Sequence, residues 1–101
     1  MNPTPPNTDT TPPPPRVAVP VRAGQVAATA NRLADGPPAG EIVLDFAGVN
    51  FVGSEELGAL VVLNRKVRGA GGTLRLVNVG PPVSGVFAVT RLDTILDIHR
   101  A

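Results

Sequence analysis

Short apolar runs alternate with longer amphipathic stretches along this chain, and that alternation limits the available folds more than any other feature. Ile42-Val43-Leu44 stand in a row, followed by Asp45, Phe46 and a loop beginning at Gly48. A run this short, bounded by turn residues, fits a central strand covered on both faces. After Phe51-Val52, the residues Leu57, Leu60, Val61, Asn64 and Val67 recur at helical spacing, so one stripe can face a core. Ser54 stands where an N-cap hydroxyl would accept from a free backbone N–H. Glu55 and Glu56 complement the positive end of the helix dipole, while Arg65, Lys66 and Arg68 complement the negative end. Gly69, Gly71 and Gly72 then stop the helix.

The flanking segments repeat the pattern. Val17, Val19 and Val21 alternate with Ala18, Pro20 and Arg22, a short strand whose proline places it at an edge. Gln25 to Ala34 reads as an alanine-rich helix with Val26, Ala30 and Leu33 on one side, ended by Asp35-Gly36-Pro37-Pro38. Thr73 to Val79 reads as a strand with Leu74 and Leu76 on one face. Pro81 and Pro82 suit a helix start, and Val83, Val86, Phe87 and Thr90 form its inner stripe. Leu92, Ile95, Leu96 and Ile98 cover the sheet, with a last short strand near Ile98. Strand, helix, strand, helix, strand, helix argues for an α/β domain with right-handed crossovers. Residues 16–101 form that domain. Residues 1–15 carry seven prolines and read as a disordered tail.

Several function classes fall away. The formal charge is +1 with no basic run, which leaves no footprint for nucleic acid. No apolar run reaches the roughly 18 residues of a membrane span, and the N-terminus lacks a signal-peptide pattern, so a cytoplasmic location is expected. Without cysteine there is no thiolate chemistry. The single histidine, His99, lies near the end of the chain, far in sequence from Ser54, so no serine–histidine enzyme is expected. Asp45, Asp93 and Asp97 are too scattered for a metal site, and Asp45 is expected to bond the loop backbone at Gly48 or beyond. Glycines 69 to 72 follow a helix and precede a strand, the wrong order for a phosphate loop. Glu55 and Glu56 are expected to be solvated. No cofactor is expected.

In open α/β sheets, sites gather where strands end and helices begin, and Ser54 lies at such a place. It can serve as a cap alone, or as a cap that also accepts a phosphate.

Ile42-Val43-Leu44-Asp45-Phe46, Gly48-Val49, Phe51-Val52, Ser54, Leu57-Gly58, Leu60, Gly71-Gly72, Leu74-Arg75-Leu76-Val77-Asn78 and Val86-Phe87 through Leu92-Asp93 together resemble a STAS domain of the anti-sigma factor antagonist type. The resemblance implies a small mixed sheet of about four strands with helices packed on it. It implies binding to an anti-sigma factor that is also a serine kinase, phosphorylation of a serine at the start of the second helix, and resetting by a phosphatase. The family pattern there is Asp-Ser-Ser/Thr-Gly-Leu-Gly, against Gly53-Ser54-Glu55-Glu56-Leu57-Gly58 here. The acceptor role carries over to Ser54, and the partner surface to Gly53, Ser54, Glu55, Glu56, Leu57 and Gly58. Two alternatives follow from the glutamates: a kinase that tolerates an acidic loop, or a constitutively acidic variant that seldom needs phosphate. The alternative reading is a non-phosphorylated scaffold subunit of a signalling or transport assembly.

Overall fold

A computed structural model describes residues 16–36 and 40–101; the proline-rich leader and Pro37-Pro38 lie outside them. The elements run β1 (Arg16–Arg22), α1 (Val26–Asp35), β2 (Glu41–Gly48), α2 (Ser54–Gly69), β3 (Thr73–Val79), α3 (Pro81–Val89) and β4 (Asp97–Arg100), with one 3₁₀ turn at Leu92–Thr94. The strands lie side by side in chain order, and all three pairings are parallel. The α/β class is as expected, but the sheet is parallel throughout and not mixed. Each strand is followed by a helix or helical turn that carries the chain back before the next strand begins, so neighbours run the same way.

Sequential order with right-handed crossovers puts the helices on one face. Burial agrees: Ile42, Leu44 and Phe46 on β2 and Leu74, Leu76 and Val79 on β3 are buried, whereas Val43, Arg75 and Val77 remain partly exposed. The expectation that β2 is covered on both faces therefore fails. Val43 lies on the second face, which carries a chain of ion pairs among the described residues. Glu41 meets Arg16 at 2.8 Å and Arg75 at 3.3 Å, and Arg75 meets Asp97 at 3.2 Å. Asp97 in turn lies 2.9 Å from His99. Such exposed pairs add little stability each. They keep an uncovered face polar. The last short strand expected near Ile98 is β4, and His99 belongs to it. Pro20 lies on the edge strand as expected, next to an irregularity in the β1–β2 register.

Beneath the helices, Phe46, Phe87, Leu60, Leu63 and Val67 fill the core. Leu63 joins the buried stripe of α2, while Leu57 and Val61 flank it half-exposed. Asn64 is buried on the same stripe, and its Oδ1 accepts from Arg68 Nε at 3.4 Å. Ala30 and Ala34 of α1 are small enough to let α1 and α2 pack closely. The helix α2 ends in a Schellman arrangement, with Gly72 N–H bonding Val67 O at 2.9 Å and Gly71 N–H bonding Arg68 O at 3.0 Å.

Just beyond α3, Arg91 has φ 61°, a left-handed conformation that costs a β-carbon-bearing residue about 1–2 kcal/mol. Its side chain is exposed. Arg91→Gly should therefore raise stability by about 0.5–1 kcal/mol, read as a higher thermal midpoint.

Candidate functional site

The loop from Val49 to Gly53 joins the C-terminal end of β2 to α2. Val49 and Val52 are buried at 4% and 3% exposure and anchor it, while Phe51 between them is 73% exposed. Gly53 has extended backbone angles and is the N-cap; Ser54 is the first helical residue. The expectation of Ser54 as the capping residue is thus corrected by one position. A hydroxyl at the first helical position does not face the free N–H groups as an N-cap side chain does. Glycine has no side chain with which to cap. Instead Glu56 folds back, and its Oε1 accepts from the Gly53 N–H at 2.6 Å, one half of a capping box.

Glu56 is therefore half-buried and committed, and not simply solvated, whereas Glu55 is exposed. The first intrahelical bond is Leu57 N–H to Gly53 O at 3.0 Å. That leaves the N–H groups of Ser54, Glu55 and Glu56 without intrahelical acceptors. Ser54 itself is exposed, Leu57 is half-buried against the core, and Gly58 is exposed with open space where a Cβ would project. The six residues of the candidate surface thus come together, but with different duties: Leu57 and Glu56 hold the turn, while Ser54, Glu55 and Gly58 face outward. Phe51 lies beside these six residues, and no motif in the sequence marks it as a contact. A Cβ on Gly53 would lie 3.7 Å from its ring, so the ring stands beside the serine turn.

A pocket of about 500 Å³ opens next to this loop at the ends of β2 and β3, with Val49, Asn50, Asn78 and Pro82 in its lining. Pro81 and Pro82 occupy the first two helical positions of α3, so the start of that helix offers few donors. On the same edge, Asp45 Oδ1 accepts from Asn78 Nδ2 at 3.0 Å and from Ala47 N–H at 2.9 Å, in place of the expected bond at Gly48 or beyond. Asn78 adopts φ 56°, which asparagine tolerates better than most residues, and this brings its amide to the carboxylate.

The Asn78 bond, and secondarily the Ala47 N–H, lower the Asp45 pKa below 3.8, with burial opposing weakly. A depressed folded value means the stabilisation is present above the unfolded pKa and is lost as pH falls through the folded one. Wild type should therefore exceed Asp45→Asn in urea midpoint at neutral pH, with the gap closing as pH drops below about 4. A gap independent of pH would contradict the assignment.

The model of the family described as "Mlab, STAS domain" matches residues 21–97. Among solved structures, a candidate anti-sigma factor antagonist from Thermotoga maritima superposes with TM-score 0.64 at 20% identity, covering 82% of this chain and 74% of that one. An anti-sigma-factor antagonist (STAS) domain protein from Planctomyces limnophilus gives 0.65 at 25% identity, over 77% and 68% of the two chains. A sulfate transporter family protein from Wolinella succinogenes gives 0.73 at 16% identity, over 91% and 83%. Among curated proteins, none matches. No described helix is long and apolar enough to cross a membrane.

Proposed function

The chain belongs to the STAS domain family, and from that premise we propose that it is an anti-sigma factor antagonist whose partner, an anti-sigma factor with serine kinase activity, docks on the start of α2 and phosphorylates Ser54. The observation that carries this reading is the exposure of Ser54 at the first turn of a sixteen-residue helix, beside free N–H groups and an exposed phenylalanine. A phosphate at a helix N-terminus meets donors and the positive end of the dipole. The charge can then form without unfolding the domain, and the partner reads it by local electrostatics. Phe51 supplies the apolar anchor, Gly58 allows close approach, and the partner brings ATP. This chain does no chemistry itself and works in the cytoplasm; a phosphatase removes the phosphate.

Affinity for an anti-sigma factor kinase that co-purifies with this chain tests the surface. Phe51→Ala removes a ring that contributes little to the core, so folding should be unchanged while binding weakens by about 30-fold, the scale of an interface hot spot. Unchanged affinity would remove this face from the interface.

A second reading is a scaffold subunit that is not phosphorylated. Glu56 favours it, because its carboxylate already occupies the Gly53 N–H. The likeness to the sulfate transporter family protein is compatible with it. A stable complex that forms without any phosphate transfer would select it.

A further inference from the structure

A second pocket, of about 490 Å³, opens where β1 ends and α1 begins, and shares no lining residue with the serine turn. Arg22 reaches it from the end of β1, Gln25 from the N-cap of α1, and Thr29 and Arg32 from the helix itself. Gln25, Thr29 and Arg32 recur four and three residues apart and so share one helix face. The ion pairs among the described residues leave Arg22 and Arg32 out. Among the described residues, no carboxylate lines the pocket. The first turn of α1 has no acidic residue and no side-chain cap. Its first bond is Thr29 N–H to Gln25 O at 2.9 Å, so the N–H groups of Val26, Ala27 and Ala28 lack intrahelical acceptors.

Thr29 supplies an independent observation. It is 7% exposed, lines the pocket, and its hydroxyl has no hydrogen-bond partner among the described residues. The hydroxyl of Thr90 behaves differently, bonding back to Val86 O in its own helix at 2.8 Å. So does that of Thr94, which bonds Arg91 O at 2.7 Å. No described side-chain oxygen is both buried and unpartnered, so the hydroxyl of this otherwise buried residue is open to the pocket and available to something that enters it.

We propose that this pocket binds a tetrahedral oxyanion, a phosphate or sulfate group, held by the Arg22 and Arg32 guanidiniums, the Thr29 hydroxyl, the Gln25 amide and the first N–H groups of α1. Guanidinium forks match such an anion in geometry and charge. The helix start adds donors that need no rearrangement. The group can arrive as a free ion, on a small molecule or on a lipid headgroup, and the chemistry is the same in each case.

Titration of the full chain with inorganic phosphate, and separately with sulfate, at constant ionic strength and followed by amide NMR, tests the site. The expected result is saturable shifts centred on residues 26–29. Arg22→Gln with Arg32→Gln should weaken binding by about tenfold or more, and Thr29→Val by about fivefold. The arginines are exposed and unpaired, so the thermal midpoint of the double variant should match wild type in the absence of anion. Sedimentation with phosphatidylglycerol against phosphatidylcholine vesicles separates the sources. Selective pelleting lost in the double variant assigns a lipid headgroup, while saturation by free phosphate with no pelleting assigns a small molecule. The proposal is overturned by the absence of any saturable response to phosphate, sulfate and anionic vesicles, or by a response that the double variant keeps.

Discussion

Gly72→Ala should destabilise the domain by about 3 kcal/mol, the upper part of the range for a buried overpacking change. A Cβ there would overlap the Gly40 carbonyl oxygen and come within 3.0 Å of Gly40 N and 3.1 Å of Val67 Cγ1. The obstacle is backbone and cannot swing aside. The same Gly40 carbonyl accepts from Thr73 N–H at 2.9 Å, so moving it weakens the entry to β3 as well. The neighbouring glycines serve as controls, one of smaller cost and one of opposite sign. Gly71 has φ 85° and open space around it, so alanine costs only the left-handed backbone, about 1–2 kcal/mol. Gly69 is helical with open space, so alanine should stabilise by about 0.5–1 kcal/mol. Urea midpoints for the three variants check the series. Equal effects at the three sites would show that crowding at Gly40 is not what sets the cost.

Phosphorylated Ser54 should bind the kinase partner about 100-fold more weakly than the unmodified protein, roughly 3 kcal/mol, while melting at nearly the same temperature. The phosphate adds about −1.5 to −2 charges beside Glu55 and Glu56, on the face that the proposed partner covers. A surface fitted to a neutral hydroxyl would have to desolvate or repel that dianion. The fold has little such cost, since Ser54 is exposed and a phosphate there lies at the positive end of the α2 dipole. Calorimetric titration and thermal melting of the same phosphorylated sample separate the two quantities. A large fall in melting temperature would mean that the switch acts by unfolding.

The order of elements was legible in the sequence because each carries its own punctuation. Gly71-Gly72 stops α2, Pro81-Pro82 starts α3, and the valines of β1 alternate around Pro20. What was not legible depends on partners distant in the chain. Ile42-Val43-Leu44 reads as a strand buried on both faces, yet Val43 lies on the uncovered face, because apolar runs do not report which side the helices take. Asp45 meets Asn78 across 33 positions of sequence, a contact that needs the left-handed turn at Asn78. At the site, the serine turn was found from local spacing, but the capping position was missed by one residue. Glycine without a side chain gave no sign that Glu56 would cap from within the helix. Nothing local marks Phe51 as exposed, since its outward position follows from the burial of Val49 and Val52 on either side.

The central claim is that an exposed hydroxyl at the start of α2 is the group a partner kinase modifies. Intact-mass measurement after incubation with that kinase and ATP tests it most directly. Wild type should gain the mass of one phosphate group and Ser54→Ala should gain none. Equal gain in both, or no gain in wild type while the two proteins form a complex, would contradict it.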